Sequence, residues 1–111
     1  MKDHLLSKRV SVAIQKRLRQ GWCRNALARD EHQSATRHSD PAAVQWCLVG
    51  AMHLECERLG IKNHNRIYET LDYWRSPPEA FNDATAKDVN DVIRFLQSIT
   101  VPDKEKQPNQ P

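Results

Sequence analysis

The chain has 111 residues, a length that fits one domain, with 39% hydrophobic and 28% charged residues and a net charge of +3. No apolar run approaches the roughly 20 residues needed to span a bilayer. The opening MKDHLLSKRVSV lacks the apolar stretch and cleavage site of a secretory signal, so a cytoplasmic protein without a membrane partner is expected.

Residues 4–20 have helical period. Leu6, Val10, Ala13, Ile14 and Leu18 share one stripe, with Lys8, Arg9, Lys16 and Arg19 opposite. Gly21 suits the left-handed position that ends a helix. Residues 1–29 hold eight Lys or Arg against Asp3 alone, while the remainder is net acidic. That asymmetry permits an anionic partner, and equally permits the two parts to pack with complementary charge. Residues 22–39 pass through a first Trp-Cys pair into the polar RDEHQSATRHS, which reads as one long exposed loop. SDPAAVQWCLVGAMHLECERLG then reads as a helix over 41–59, with Asp40 as N-cap, Pro41 in the first turn and Gly60 at the exit. It is apolar almost all round from Ala42 to Met52, as befits a helix surrounded on several sides. A further helix is expected over 64–74, with Asn63 as its cap and Ile67, Tyr68, Leu71 and Trp74 facing inward. The prolines of RSPPEAFND end it. Thr85 to Asp88 resembles a capping box and opens a last helix with a stripe of Val89, Val92, Ile93, Leu96 and Ile99. Residues 102–111 carry no apolar side chain beyond proline and are expected to be disordered. The fold class this implies is all-α: about four helices in a bundle around a central helix at 41–59, one long loop at 22–39, and a single domain over 1–101.

GWCRNALARD, a polar loop, DPAAVQWCLVGAM, and ND ahead of a Thr-capped DVNDVIRFL occur in that order. This string resembles a small family of uncharacterised bacterial and phage proteins, a domain of unknown function. Its members run as G-W-x-x-G-A-x-A-R-D, then W-C-x-x-G-A, then W-N-D before a closing helix. The resemblance covers roughly residues 18–97. Asn25 stands where that family has Gly, Phe81 replaces the Trp before Asn82-Asp83, and the turn between Asp83 and Thr85 is shorter. The resemblance marks Trp22, Arg29, Asp30, Trp46, Cys47, Gly50, Asn82 and Asp83 as motif residues and implies no activity for them.

Four constellations carry chemistry on paper. Cys23 and Cys47 could be nucleophiles if a loop histidine, His38 or His32, reached them, since a thiol needs a base and a lowered pKa. The plainer reading of all three thiols (Cys56 is the third) is packing, because an odd number of cysteines makes no disulfide framework. His53 and Cys56, three apart on a helix, lack further ligands at metal spacing, so no metal and no cofactor is expected. His4, His32, His38 and His64 read as solvated. Asp30, Asp83 and Arg29 read as braces at element edges rather than as acid–base groups. The basic face of the first helix remains: Lys8, Arg9, Lys16 and Arg19, with Leu5 and Val12 among them, a candidate binding surface. The expected function is therefore a non-enzymatic module that binds another protein or a second copy of itself. Nucleic acid bound through the same helix is the first alternative, and a cysteine-dependent enzyme the second.

Overall fold

The computed structural model describes residues 6–62, 64–75 and 77–101, the side chains of 64, 65 and 75 aside. The helix expected at the start is shorter than its period suggests. Leu6–Ser7 form a strand, β1, and helix α1 spans Lys8–Gln20. Ser7 caps it by accepting from the Val10 N–H at 3.4 Å. Val10, Ile14 and Leu18 of the stripe are buried, and Leu6 is buried as well, from the strand. Gly21 has φ 178, so it is extended and not left-handed. Its lack of a side chain matters for another reason: a Cβ there would lie 2.1 Å from the Val44 carbonyl oxygen.

The largest departure from the expected helical bundle lies between residues 22 and 47. The supposed loop contains strands β2 (Ala28–Asp30) and β3 (Ala35–Thr36), and the supposed first turns of the central helix form strand β4 (Ala43–Trp46). The three make an antiparallel sheet in the order β3-β2-β4. The hairpin between β2 and β3 closes on Asp30, whose Oδ1 accepts from the His32 and Ser34 N–H groups. Asp40 does not cap a helix. It closes a turn, accepting from the Ala42 N–H at 2.9 Å and from the Thr36 hydroxyl. The register passes from Arg29–Gln45 to Asp30–Ala43, so Val44 is the extra residue of a β-bulge and is 45% exposed. The chain is thus mixed α/β. An apolar run bounded by Pro and Gly reads equally well as one long helix or as a strand followed by a helix, and here the strand partner decides.

Helix α2 begins later, at Leu48, and runs to Leu59. Its N-cap is Cys47, whose Sγ accepts from the Gly50 N–H at 3.3 Å. Gly60 ends it in the left-handed conformation (φ 73), as its position suggested. Leu48, Val49, Ala51, Met52, Glu55 and Cys56 are all buried, so the surrounded helix is real but lacks its first two turns. Helix α3 spans His64–Arg75. Leu71 is buried, Ile67 and Tyr68 are half-buried, and Trp74, expected inside, is 41% exposed against Tyr73. The Asn63 cap, Leu5, His4 and the 102–111 tail lie outside the described residues.

Pro78–Ala80 form a short helix, α4, that runs into a π-helical turn over Phe81–Thr85. Helix α5 spans Val89–Ser98. Its cap is Asp88, accepting from the Asp91 N–H, while the Asp91 carboxylate accepts from the Lys87 N–H at 2.7 Å. The helix is therefore capped at Asp88, three residues beyond the cap expected at Thr85, with Asp91 reaching back to the residue before the cap. Val92, Ile93, Leu96 and Ile99 of the stripe are buried, with Phe95 beside them against Phe81. Strand β5 (Thr100–Val101) then pairs parallel with β1. A two-residue parallel pair ties the end of α5 to the start of α1, and α1 packs between α2 and α5. No helix among the described residues is long and apolar enough to cross a membrane.

Candidate functional site

The motif residues converge on the interior. Trp22 and Trp46 form an isolated parallel bridge, in which the Trp46 N–H donates to the Gly21 carbonyl and the Cys23 N–H to the Trp46 carbonyl. The two Trp-Cys pairs thus lie side by side. The next rung would be the Leu48 N–H donating to the Cys23 carbonyl, and that rung is occupied by the Asn82 side chain. Its Oδ1 accepts from the Leu48 N–H at 3.0 Å, and its Nδ2 donates to the Cys23 carbonyl at 3.1 Å. Asn82 also accepts from the Trp22 indole N–H at 2.6 Å and donates to Asp83 at 2.8 Å, and it is fully buried. A primary amide has a donor and an acceptor in the same plane, as a peptide group does, and so replaces one in a ladder.

Around this wedge the other motif residues act as braces. Asp83 Oδ1 accepts from the Asn25 N–H at 2.9 Å. Arg29 donates to the Arg24 and Gln33 carbonyls, holding both ends of the first half of the sheet. Arg24 lies over the Trp22 ring at 4.9 Å and donates to the Ala86 and Lys87 carbonyls. Gly50 is where the Leu27 carbonyl crosses α2, 2.0 Å from where a Cβ would stand. Asn25 has φ 63, a region Gly enters without strain. Asn25→Gly should therefore gain up to about 1 kcal/mol, the relieved left-handed strain of about 1–2 kcal/mol less glycine's entropic cost of about 0.5–1 kcal/mol, read as a higher urea midpoint. A lower midpoint would show that the Asn25 side chain holds its turn.

The sulfur atoms are not poised for attack. Burial pushes the Cys23 thiol up to about 11, with the neighbouring Cys47 adding to it and Arg29 opposing. Burial also raises Cys47, against the opposing hydrogen bonds of the α2 N-terminus. Cys56 is raised to about 11 by burial and by Glu55. The contacts of His38 run elsewhere: its Nε2 meets Glu57 at 2.9 Å and its ring stacks on His53 at 5.4 Å. It is mostly enclosed, in contrast to the solvated histidine expected, whereas His32 is exposed. Among the described residues no group of three or more metal-ligating side chains converges.

The open site lies along α1. A cleft of about 530 Å³ is lined by Arg17, Gln20, His38, Asp40, Val44, Trp46 and Leu54, among others. Arg17 and Gln20 also line a groove of about 340 Å³ between α1 and α2, with Arg9, Val12, Lys16 and Arg58. The two share Arg17 and Gln20 in their walls and together are called the trough. The floor is Glu55, buried to 1% exposure, whose oxygens accept from Arg17 Nε at 2.7 Å and Arg58 Nε at 3.0 Å. Arg17 also covers the Trp46 ring at 4.8 Å, and the Trp46 indole N–H donates to the His38 carbonyl. Arg9 donates to the Leu59 carbonyl at the end of α2. Glu55 thus orients two guanidinium groups and cancels one charge, and the rim keeps Lys16, Arg58 and Arg9 exposed.

A family model matches residues 12–99. The chain belongs to DUF6197, a family of unknown function. No curated protein and no solved structure matches it. The matched span of this DUF6197 chain takes in α1 from Val12 onward, the three-stranded sheet and α5, hence the Asn82 wedge and the trough apart from Arg9.

Of the surface residues expected from sequence, Arg9, Val12 and Lys16 line the trough. Lys8 lies with Val12 in a separate groove of about 310 Å³ toward Gln97 and Thr100. Arg19 is exposed apart from both, and Leu5 is outside the described residues. Sequence reading missed Arg17, Arg58, Trp46 and Val44 as lining residues. Arg17 carried a signal, since it lies one position from Lys16 at the edge of the apolar stripe, where a charge meets a neighbouring helix.

Proposed function

We propose that this DUF6197 chain is a non-enzymatic, cytoplasmic binding module whose trough takes an acidic, partly apolar segment of another protein. The observation that carries the reading is that two adjacent grooves share Arg17 and Gln20 and each sets basic side chains beside an exposed valine. Arg9, Lys16 and Arg58 supply the charge, while Val12 (46% exposed) and the bulged Val44 offer apolar contact at either end. Charge complementarity gives such a surface its on-rate and selectivity, and the apolar contacts add affinity. Nucleic acid fits less well. Single strands bind on exposed aromatic faces, and the Trp46 ring is buried and already covered by Arg17. A regulatory or inhibitory role belongs to the same proposal.

Binding of a fluorescent peptide alternating Glu and Leu, set against single-stranded DNA, tests the reading. The peptide should bind, and Lys16→Glu with Arg58→Glu should weaken it at least about tenfold, because each reversal turns an attraction into a repulsion at short range. Both side chains are exposed, and an unchanged helical circular-dichroism signal would show that the fold is kept. An unbound peptide, or one indifferent to the reversals, overturns the proposal. DNA binding that is tighter and falls steeply with salt would replace it with the nucleic-acid alternative.

A further inference from the structure

The parallel bridge that aligns Trp22 with Trp46 also aligns the residues that follow them, Cys23 and Cys47. The Cys23 N–H still donates to the Trp46 carbonyl at 3.1 Å, ahead of the rung that Asn82 opens, so the backbones at Cys23 and Cys47 lie near the strand spacing of about 5 Å, within the Cα range of a disulfide. The two thiols also lie on the same side of the bridge, since side chains alternate along extended backbone and the tryptophans take the other. Each sulfur also has a contact in the segment where residues 26–27 cross the start of α2. Cys23 Sγ lies 3.6 Å from the Ala26 carbonyl oxygen and Cys47 Sγ 3.3 Å from the Gly50 N–H. The Leu27 carbonyl, next in the chain after Ala26, accepts from the Cys47 N–H at 3.1 Å and crosses Gly50. Cys47, moreover, raises the Cys23 thiol electrostatically. Cys56 cannot join them. It lies nine residues beyond Cys47 on the same helix, about 13 Å along the axis.

We propose that Cys23 and Cys47 are a reversible cross-linking site: a peroxide oxidises them to a disulfide that staples the segment before the β2–β3 hairpin to the start of α2. The Cys23 thiolate, which Arg29 favours, attacks one peroxide oxygen. The O–O bond breaks, water leaves, and a sulfenic acid forms. The Cys47 sulfur then attacks the Cys23 sulfur, the S–O bond breaks, and a second water leaves. One hydrogen peroxide takes up two electrons and two protons and becomes two waters, and the two thiols become one disulfide. Because burial keeps both thiols protonated at neutral pH, the reaction is slow there and should quicken about tenfold per pH unit.

The test is hydrogen peroxide treatment of the folded wild-type chain, followed by peptide mapping without reductant. One product is expected, lighter by two hydrogens, linking the peptides of Cys23 and Cys47 and leaving Cys56 free to be alkylated after unfolding. Dithiothreitol should restore all three thiols. The Cys56→Ser chain, which retains the pair, should behave alike. Oxidation in urea should favour Cys47–Cys56 instead, since the shorter loop closes at lower entropic cost. A native product joining Cys47 to Cys56, a disulfide between two chains, a Cys23 sulfinic acid with Cys47 still reduced, or three intact thiols would each overturn the proposal.

Discussion

Asn82→Ala should remove about 3–6 kcal/mol of stability, measured as the fall in unfolding free energy in urea. The truncation leaves the Leu48 N–H, the Cys23 carbonyl and the Trp22 indole N–H without their partner. A buried polar group left unpaired costs about 1–3 kcal/mol. Whole domains are stable by only about 5–15 kcal/mol, so the variant is expected to sit close to unfolding at 37 °C. Asn82→Asp separates polarity from shape. The new carboxyl keeps the acceptor toward Leu48 but, ionised, sets an oxygen against the Cys23 carbonyl and a charge beside Asp83. Burial and that neighbouring charge raise the folded-state pKa of the introduced group. Its stability is therefore greatest below the unfolded value near about 4 and is lost as pH rises through the folded value. Relative to wild type, this variant should weaken steadily from about pH 4 to about pH 8. A loss below about 1 kcal/mol for the alanine variant would mean that the wedge is incidental.

Gly50→Ala should cost about 2–4 kcal/mol, against the sign that helix propensity alone predicts. Within a helix, alanine is normally favoured over glycine by about 1 kcal/mol. Here the added methyl would stand 2.0 Å from the Leu27 oxygen and 2.9 Å from its carbonyl carbon, both backbone atoms. Moving that carbonyl away also releases the Cys47 N–H that it accepts from. Gly21→Ala meets the Val44 carbonyl oxygen at 2.1 Å and belongs to the same class. Gly60→Ala meets nothing within 4 Å and bears only the strain of φ 73, about 1–2 kcal/mol. Thermal unfolding of the three variants should therefore rank Gly60→Ala as the mildest. If Gly50→Ala is as stable as wild type, the crossing of Leu27 over α2 is looser than the structure has it.

These variants probe what sequence reading found hardest to see. The helices were legible where their signals are local. The apolar stripes of α1 and α5 put Val10, Ile14, Leu18, Val92, Ile93 and Leu96 inside, and Gly60 marked its exit. Such patterns depend on side chains three or four residues apart, so they survive without knowledge of the rest of the chain. The Asp40-Pro41 signal misled for the same reason. An Asp before a Pro opens a turn as readily as a helix, and only the strand waiting across from it shows which.

Sequence alone determined the apolar faces of α1 and α5, where α2 ends, and that Lys8, Arg9, Lys16 and Arg19 of α1 face outward. The tertiary structure decided that residues 43–46 form a strand, that the polar stretch before them folds as a hairpin, and that Asn82 completes a broken ladder from more than thirty residues away. It also decided that Arg17, rather than the more conspicuous Lys8 or Arg19, stands in the wall of both grooves. The physical reason is range. Helical hydrogen bonds close within four residues and leave a periodic trace, whereas short strands, amide wedges and surface troughs are made by partners that meet only after the chain has packed.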